Sequence, residues 1–414
     1  MTTILINIRQ LIGTRTVSAV LRGKTLSALP LMENAYLVIE DGFISEYGSM
    51  ADLPARYLLQ NNILDILGGN VLPAWCDSHT HIVFAGSREG EFVDKIRGLS
   101  YEEIAAKGGG ILNSANLLNK TSEDELFRQA WERLEEVRRL GTGAIEIKSG
   151  YGLTVAGELK MLRVIKKLKE KSPLAIKSTF LGAHTYPLEY RNNHRGYIDL
   201  IKAEMLPVIA REKLADYIDV FCEQGFFSPE ETEEVCRAGL AIGLRPKIHA
   251  NQMHLSGGTQ VGVKLGAVSV DHLETMDGPA IEALAKSDTI GTLLPTAAFF
   301  LRMPFQPARA LIDNGCAIAL ASDYNPGSSP SGNMNLVIAM ACIQMKMLPE
   351  EAINAATLNG AYAMDLGKEL GSITAGKKAN LIVTKPIPSL AYIPYAFGSS
   401  VIRGTILGEN RMLA

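Results

Sequence analysis

The sequence predicts an α/β protein, a (β/α)8 TIM barrel carrying a small composite β domain built from both chain termini. From residue 70 onward, eight short apolar runs alternate with amphipathic segments. Each run ends in residues more polar than the core that would follow from its pattern. The two flanks instead show period-two alternation with turn signals. Strand-then-helix alternation means parallel strands, and eight such units close into a barrel whose chemistry gathers at the C-terminal strand ends.

The flanks come first. Residues 1–70 contain AYLVIEDGFISEYG, two alternating stretches around a DG turn. Residues 371–414 contain GSITAGKKANLIVTK and VIRGTILG, which read the same way. Neither end alone offers enough strands for a stable sheet, so the two are expected to combine into one sandwich-like β domain. The barrel is then expected over residues 71–370.

Within it the runs are NVLPAWCDSHTH ending at His81, GAIEIKSGY at Tyr151, AIKSTFLGAH at His184 and YIDVFCEQ at Gln224. RPKIHANQ ends at Gln252, AVSVDHLE at Glu274, TIGTLLPTAAF at Phe299 and AIALASDYN at Asn325. Between them lie helical patterns such as residues 154–171, where Leu159, Leu162, Ile165 and Leu168 recur at helical spacing beside Lys166, Lys167 and Lys169. Glu146 and Lys148 alternate on one strand, a spacing that fits a paired polar layer inside the barrel.

Composition narrows the function. With 47% hydrophobic and 21% charged residues and a net charge of −3, the chain has an ordinary globular balance. No clustered basic face marks a nucleic-acid or membrane partner. The start MTTILINIRQ places an arginine where a signal peptide needs apolar residues, and no run approaches about 18 apolar residues, so a cytoplasmic location is expected. The five cysteines form no CxxC pair and are expected to be reduced core residues.

The segment DSHTH puts two of only seven histidines, His79 and His81, one residue apart at the end of an apolar run. On an extended chain, side chains at i and i+2 share a side, so two imidazoles there can grip one ion. His249 in KIH, His272 in DHLE and Asp323 in ASDYNPGSS stand at corresponding run ends. Three histidines and a carboxylate at one barrel mouth make a site for Zn²⁺ or iron with a position left for water. The bland alternative is a set of separately hydrogen-bonded mouth residues.

PAWCDSHTH, EIKSGYG, FLGAH, DVFCE, KIHANQ, SVDHLE and SDYNPGSS resemble, in order and spacing, the imidazolonepropionase family of the amidohydrolase superfamily, over nearly the whole chain. FAGSREGEF after the histidine pair and NPGSSP after the aspartate separate that family from other amidohydrolases. The resemblance implies hydrolysis of 4-imidazolone-5-propanoate to N-formimidoyl-L-glutamate in histidine breakdown, with one divalent or trivalent metal ion per chain, Zn²⁺ or Fe³⁺. It assigns His79, His81, His249 and Asp323 as ligands. It also points to Arg88, Tyr151, His184, Gln252, Asn325, Gly327 and Ser328 as contacts of a small-molecule substrate, and to a homodimer. A second metal in this superfamily commonly needs a carboxylated lysine. Lys148 lies on the second strand, so a mononuclear site is expected.

In that setting Asp323 is expected to accept the proton of water and return it to the departing nitrogen, and His272 to polarise the carbonyl or stabilise the oxyanion. His272 beside Asp271 also fits a merely packed histidine. Arg88 would fork the substrate carboxylate; by position alone it would pair with Glu89 or Glu91. Gln252 stands where some relatives carry a glutamate base and can only hydrogen-bond the ring, and Asn251 replaces an acidic residue of many members. His194 reads as a solvated loop residue and His254 as a bystander. Gly108 to Gly110 lack the context of a phosphate loop and fit a mobile cover or a plain turn. The competing functions are a related cyclic amidohydrolase or metal-dependent deaminase, against which Arg88 speaks, and a catalytically silent scaffold, against which the complete ligand set speaks.

Overall fold

The chain begins in one sheet, leaves it for a barrel, and returns to the first sheet at its end. Strands β1 (Thr2–Ile12), β2 (Leu31–Glu40), β3 (Phe43–Ser49), β4 (Ile63–Asp65) and β5 (Val71–Pro73) are followed by the barrel strands. Those are β6 (Trp75–Asp77), β7 (Thr142–Lys148), β8 (Ala175–Ala183), β9 (Tyr217–Cys222), β10 (Arg245–Ala250), β11 (Ser269–His272), β12 (Ile290–Leu293) and β13 (Ile318–Leu320). The chain ends with β14 (Asn380–Thr384), β15 (Ile402–Leu407) and β16 (Asn410–Leu413). The computed structural model describes residues 1–99, 103 and 109–413.

The terminal sheet runs in the order β16, β15, β14, β5, β1, β2, β3, with β4 pairing β1. Its β2–β3 hairpin turns on Asp41 and Gly42, at φ of +49° and +82°. Two consecutive left-handed residues give the turn twist that a tight hairpin needs, which is why the DG pair is there. β5 pairs β14 antiparallel, so the sheet extends past the boundary expected at residue 70.

Eight parallel strands, β6 to β13 in chain order, form the barrel sheet. The first and last are joined through the segments beyond them. Thr80 bridges Tyr324, His81 N donates to Tyr324 O at 2.9 Å and Asp323 N to His79 O at 3.0 Å. The Asp77 carboxylate accepts from Ser322 N at 2.9 Å and Ser322 Oγ at 2.6 Å.

The helices cover this sheet as their periodicity requires. In Val155–Lys171, Thr154 Oγ1 caps Gly157 N, and Leu159, Leu162, Ile165 and Leu168 are buried in the large core around the barrel. The barrel interior departs from the usual branched aliphatic layers. Glu146, Lys148, Asp219, Lys247 and Asp271 are all fully buried there.

Every barrel strand stops before its run end, β7 at Lys148 short of Tyr151 and β13 at Leu320 short of Asn325 among them. β6 stops at Asp77, so His79 and His81 sit on an extended segment beyond the ladder, held by the bridge to Tyr324. The seventh run breaks at Pro295, which opens helix Pro295–Leu301, so Phe299 lies exposed on a helix instead of ending a strand.

Candidate active site

The strand ends converge as the barrel geometry demands, and five side chains come together. Ligand-competent atoms of His79, His81 and His249 lie within 4.8 Å of one another, and so do those of His79, His272 and Asp323. Asp323 Oδ1 is 3.5 Å from Nε2 of both His79 and His81. All five are buried. His272 and Asp323 hold left-handed backbones, with φ of +86° and +53°. Such strain in non-glycine residues persists where surrounding structure imposes it and turns these two side chains toward the mouth.

Hydrogen bonding shows how the imidazoles are presented. His79 Nδ1 lies 2.7 Å from Asp271 Oδ2, and His249 Nδ1 lies 2.9 Å from Asp219 Oδ2. His79 Nε2 and His81 Nδ1 are buried with no hydrogen-bond partner among the described residues. Burial, reinforced by neighbouring positive groups, holds His79, His81 and His249 well below the usual histidine range. They are therefore neutral at pH 7, the form that ligates metals. Burial pushes the Asp323 carboxyl up to about 6. Orphaned, neutral imidazole nitrogens beside an oriented carboxylate fit a metal ion and make poor sense as ordinary packing.

His272 is arranged differently. Its Nδ1 is 3.4 Å from Glu274 Oε1, which also accepts from Gln306 Nε2 at 2.9 Å. Burial opposes its charge, but Glu274, Asp323 and Asp271 outweigh that and raise its pKa.

Lys148 Nζ is fully buried, 2.6 Å from Glu146 Oε1, 2.8 Å from Asp219 Oδ2 and 3.5 Å from Asp271 Oδ2. Burial works against its charge, yet the three carboxylates raise its pKa. Committed in this way, it offers no free amine for carboxylation.

The other sequence candidates line the approach. Arg88 Nε donates to Ser114 Oγ at 2.8 Å, its Nη2 is buried without a partner among the described residues, and its guanidinium lies 5.8 Å from the Tyr151 ring centre. Glu89 instead accepts from Ser87, and Glu91 from Gly110 N. Tyr151 and His184 flank the His81 ring at 5.8 and 5.6 Å. His184 Nδ1 meets Gly150 O at 3.0 Å.

Asn325 organises the last loop. Its Oδ1 accepts from Gly327 N and Ser328 N, both at 2.8 Å, and Ser328 Oγ donates to Asp323 Oδ2 at 3.1 Å. A Cβ at Gly327 would stand 2.6 Å from Arg88 Nη1, so any larger residue there would push the guanidinium aside.

Gln252 is half-buried, and none of the hydrogen bonds among the described residues involves its side chain. Asn251 Nδ2 donates to Thr275 O at 3.1 Å and tethers the loop. His194 opens a helix instead of lying in a loop, stacked on Tyr186 at 3.7 Å. His254 Nδ1 meets Glu223 Oε1 at 3.0 Å. Of the glycine triplet, Gly108 lies outside the described residues, and Gly110 precedes helix Ile111–Lys120.

Sequence reasoning missed Ser114, Asp219 and Gln306, named Glu274 only as a run end, and saw in Asp271 only a neighbour. A charged residue at alternate positions of an apolar strand was the available signal for the aspartates, as it was for Glu146 and Lys148.

The amidohydrolase family profile matches residues 230–409. An imidazolonepropionase of Flavobacterium johnsoniae is 59% identical over 408 residues, covering 98% of this chain and 99% of that protein. One from Christiangramia forsetii is 54% identical, covering 97% and 98%, and one from Clostridium tetani 42%, covering 94% and 93%. Among solved structures, guanine deaminase from C. acetobutylicum superposes with a TM-score of 0.70 at 16% identity over the full length of both chains. A 5-methylcytosine deaminase from Klebsiella pneumoniae gives 0.75 at 15% identity, covering 99% of this chain and 98% of that one. These structures share the fold.

Proposed function

The chain belongs to the imidazolonepropionase family, and from that membership and the geometry of the barrel mouth we infer that it hydrolyses 4-imidazolone-5-propanoate to N-formimidoyl-L-glutamate in histidine breakdown. The observation that carries the reading is a pair of unsatisfied groups at one mouth. A guanidinium with a buried, unpartnered nitrogen stands one aromatic ring, that of Tyr151, away from the histidine cluster. This matches a substrate with a carboxylate tail at one end and a cyclic amide at the other.

His79, His81, His249 and Asp323 would hold one metal ion. When bound, such an ion supplies Lewis acidity, polarising a carbonyl and lowering the pKa of water to about 7.

Arg88 would take the propionate in a forked pair, with its Nη2 free to donate. Tyr151, His184, Gln252, Asn325, Gly327 and Ser328 would line the ring. Asp323, steadied by Ser328, would accept the proton from water and pass it to the ring nitrogen as the C–N bond breaks. His272, whose protonated form Glu274 favours, would donate a hydrogen bond to the carbonyl oxygen as charge develops there. Gln252 cannot act as a base, so proton transfer falls to Asp323.

The catalytic unit is proposed as residues 71–370, except that β5 at its start joins the β companion formed by 1–70 and 371–414. By the same family resemblance the enzyme is proposed as a cytoplasmic homodimer. No helix among the described residues is long and apolar enough to cross a membrane. The direct test follows loss of ultraviolet absorbance of imidazolone propionate with purified protein of known metal content. No turnover by metal-loaded protein would overturn the reading.

A further inference from the structure

Two of the proposed ligands reach back, through their second nitrogens, to the same buried cation. Asp271 Oδ2, 2.7 Å from His79 Nδ1, is also 3.5 Å from Lys148 Nζ. Asp219 Oδ2, 2.9 Å from His249 Nδ1, is also 2.8 Å from Lys148 Nζ. The ammonium thus sits between the two oxygens that face the two imidazoles. The remaining oxygens are anchored separately. Asp219 Oδ1 accepts from His249 N at 3.1 Å, and Asp271 Oδ1 from Ser269 Oγ at 2.5 Å.

We propose that Lys148, acting through Asp219 and Asp271, is a positioning residue that fixes His79 and His249 as Nδ1–H tautomers with Nε2 turned to the metal. The inference rests on the metal-centre reading above. An ionised carboxylate only accepts hydrogen bonds, so each Nδ1 must donate, which leaves each Nε2 with its lone pair free. His79 Nε2 is the buried nitrogen that finds no protein partner. Lys148 orients both carboxylates at once, so its removal loosens two ligands from one position. Groups that orient ligands from behind in this way typically govern metal affinity by about 10- to 100-fold.

Lys247 provides the contrast. It is equally buried and its charge also acts on Asp271 through space, but it hydrogen-bonds Glu146 Oε2, Ser78 O at 2.9 Å and Ala363 O at 3.2 Å, and neither histidine-bonded aspartate. A purely structural role for interior charge predicts the same behaviour from both lysines.

The test compares Lys148→Met and Lys247→Met as full-length, metal-stripped proteins, with folding verified by circular dichroism and Zn²⁺ affinity measured by competition with a chromophoric chelator. The expected result is a Zn²⁺ Kd weakened about 10- to 100-fold in Lys148→Met and changed less than about threefold in Lys247→Met. Equal losses, or none in Lys148→Met, overturn the proposal. Should Lys148→Met not fold, ¹⁵N-histidine spectra of the metal-free wild-type protein decide it. Nδ1–H signals for His79 and His249 support the assignment, and an Nε2–H tautomer at either overturns it. Wild-type protein that binds no Zn²⁺ sinks the metal-centre reading itself, a different outcome from wild-type binding that Lys148→Met leaves intact.

Discussion

Ser114 Oγ holds Arg88 Nε at 2.8 Å, so a serine on helix Ile111–Lys120 fixes the direction of an arginine in the loop after β6. The fork is thereby aimed before substrate arrives. Arg88→Ala should raise KM for imidazolone propionate by about 30- to 5,000-fold, the loss for truncating one side of a buried charge pair. An analogue lacking the carboxylate should be hydrolysed equally by both proteins. Ser114→Ala keeps the charge and loses the aim, so its KM should rise by roughly tenfold. Steady-state kinetics on both substrates checks this, and equal losses on both would contradict the assignment.

Gly327 lies against the same guanidinium. In Gly327→Ala the new methyl group would occupy space 2.6 Å from Arg88 Nη1 and displace the fork while the barrel stays intact. KM should rise by about tenfold or more. Thermal unfolding should change little. A large fall in Tm with unchanged KM would show that the glycine serves the loop instead.

Chelation should abolish turnover and also destabilise the protein, because an ion bound to the native mouth alone adds free energy by mass action. At a thousand times Kd the gain is about 4 kcal/mol. The expected fall in Tm on stripping is on the order of 5 °C. Differential scanning calorimetry with and without added Zn²⁺ reads it directly.

Lys377 gives a pH dependence far from the active site. Its ammonium donates to Ser18 Oγ at 2.9 Å, Gly367 O at 2.6 Å and Leu370 O at 2.7 Å, and burial lowers its pKa to about 8. A lysine that titrates lower when folded binds fewer protons in the native state, so its burial opposes folding fully below about pH 8. That opposition is relieved as pH rises toward the ordinary value of 10.5. Wild-type stability relative to Lys377→Met should therefore increase between pH 8 and 10. Parallel Tm curves for the two proteins across that range would refute it.

The barrel was legible because each strand is an apolar run short enough to be a strand, followed by a helix with its own period. Val155–Lys171 matches the expected 154–171 almost to the residue, since Thr154 caps it. The metal-site candidates were legible because they stand at run ends, where barrel geometry collects them. The charged interior was less so. Asp219 meets His249 across the parallel β9–β10 pair and Lys148 across the barrel interior, and nothing local in its strand announces either contact. Ser114 was invisible for a related reason. A serine on a helix has no pattern that distinguishes a partner of arginine from a solvated hydroxyl. Phe299 misled because an apolar run continuing through Pro295 looks unbroken until the proline is given its place at a helix start.

The join between the first and last barrel strands has a further consequence. Asp77 and Ser322 are 245 positions apart in the chain, and His79, His81 and Asp323 straddle that same join. Metal bound there would work as a clasp on a ring. A growing polypeptide could not assemble the complete ligand set until its eighth strand had docked beside its first. Ion capture would then report that the ring has shut, and a chain stalled halfway through synthesis would be metal-poor and inactive together.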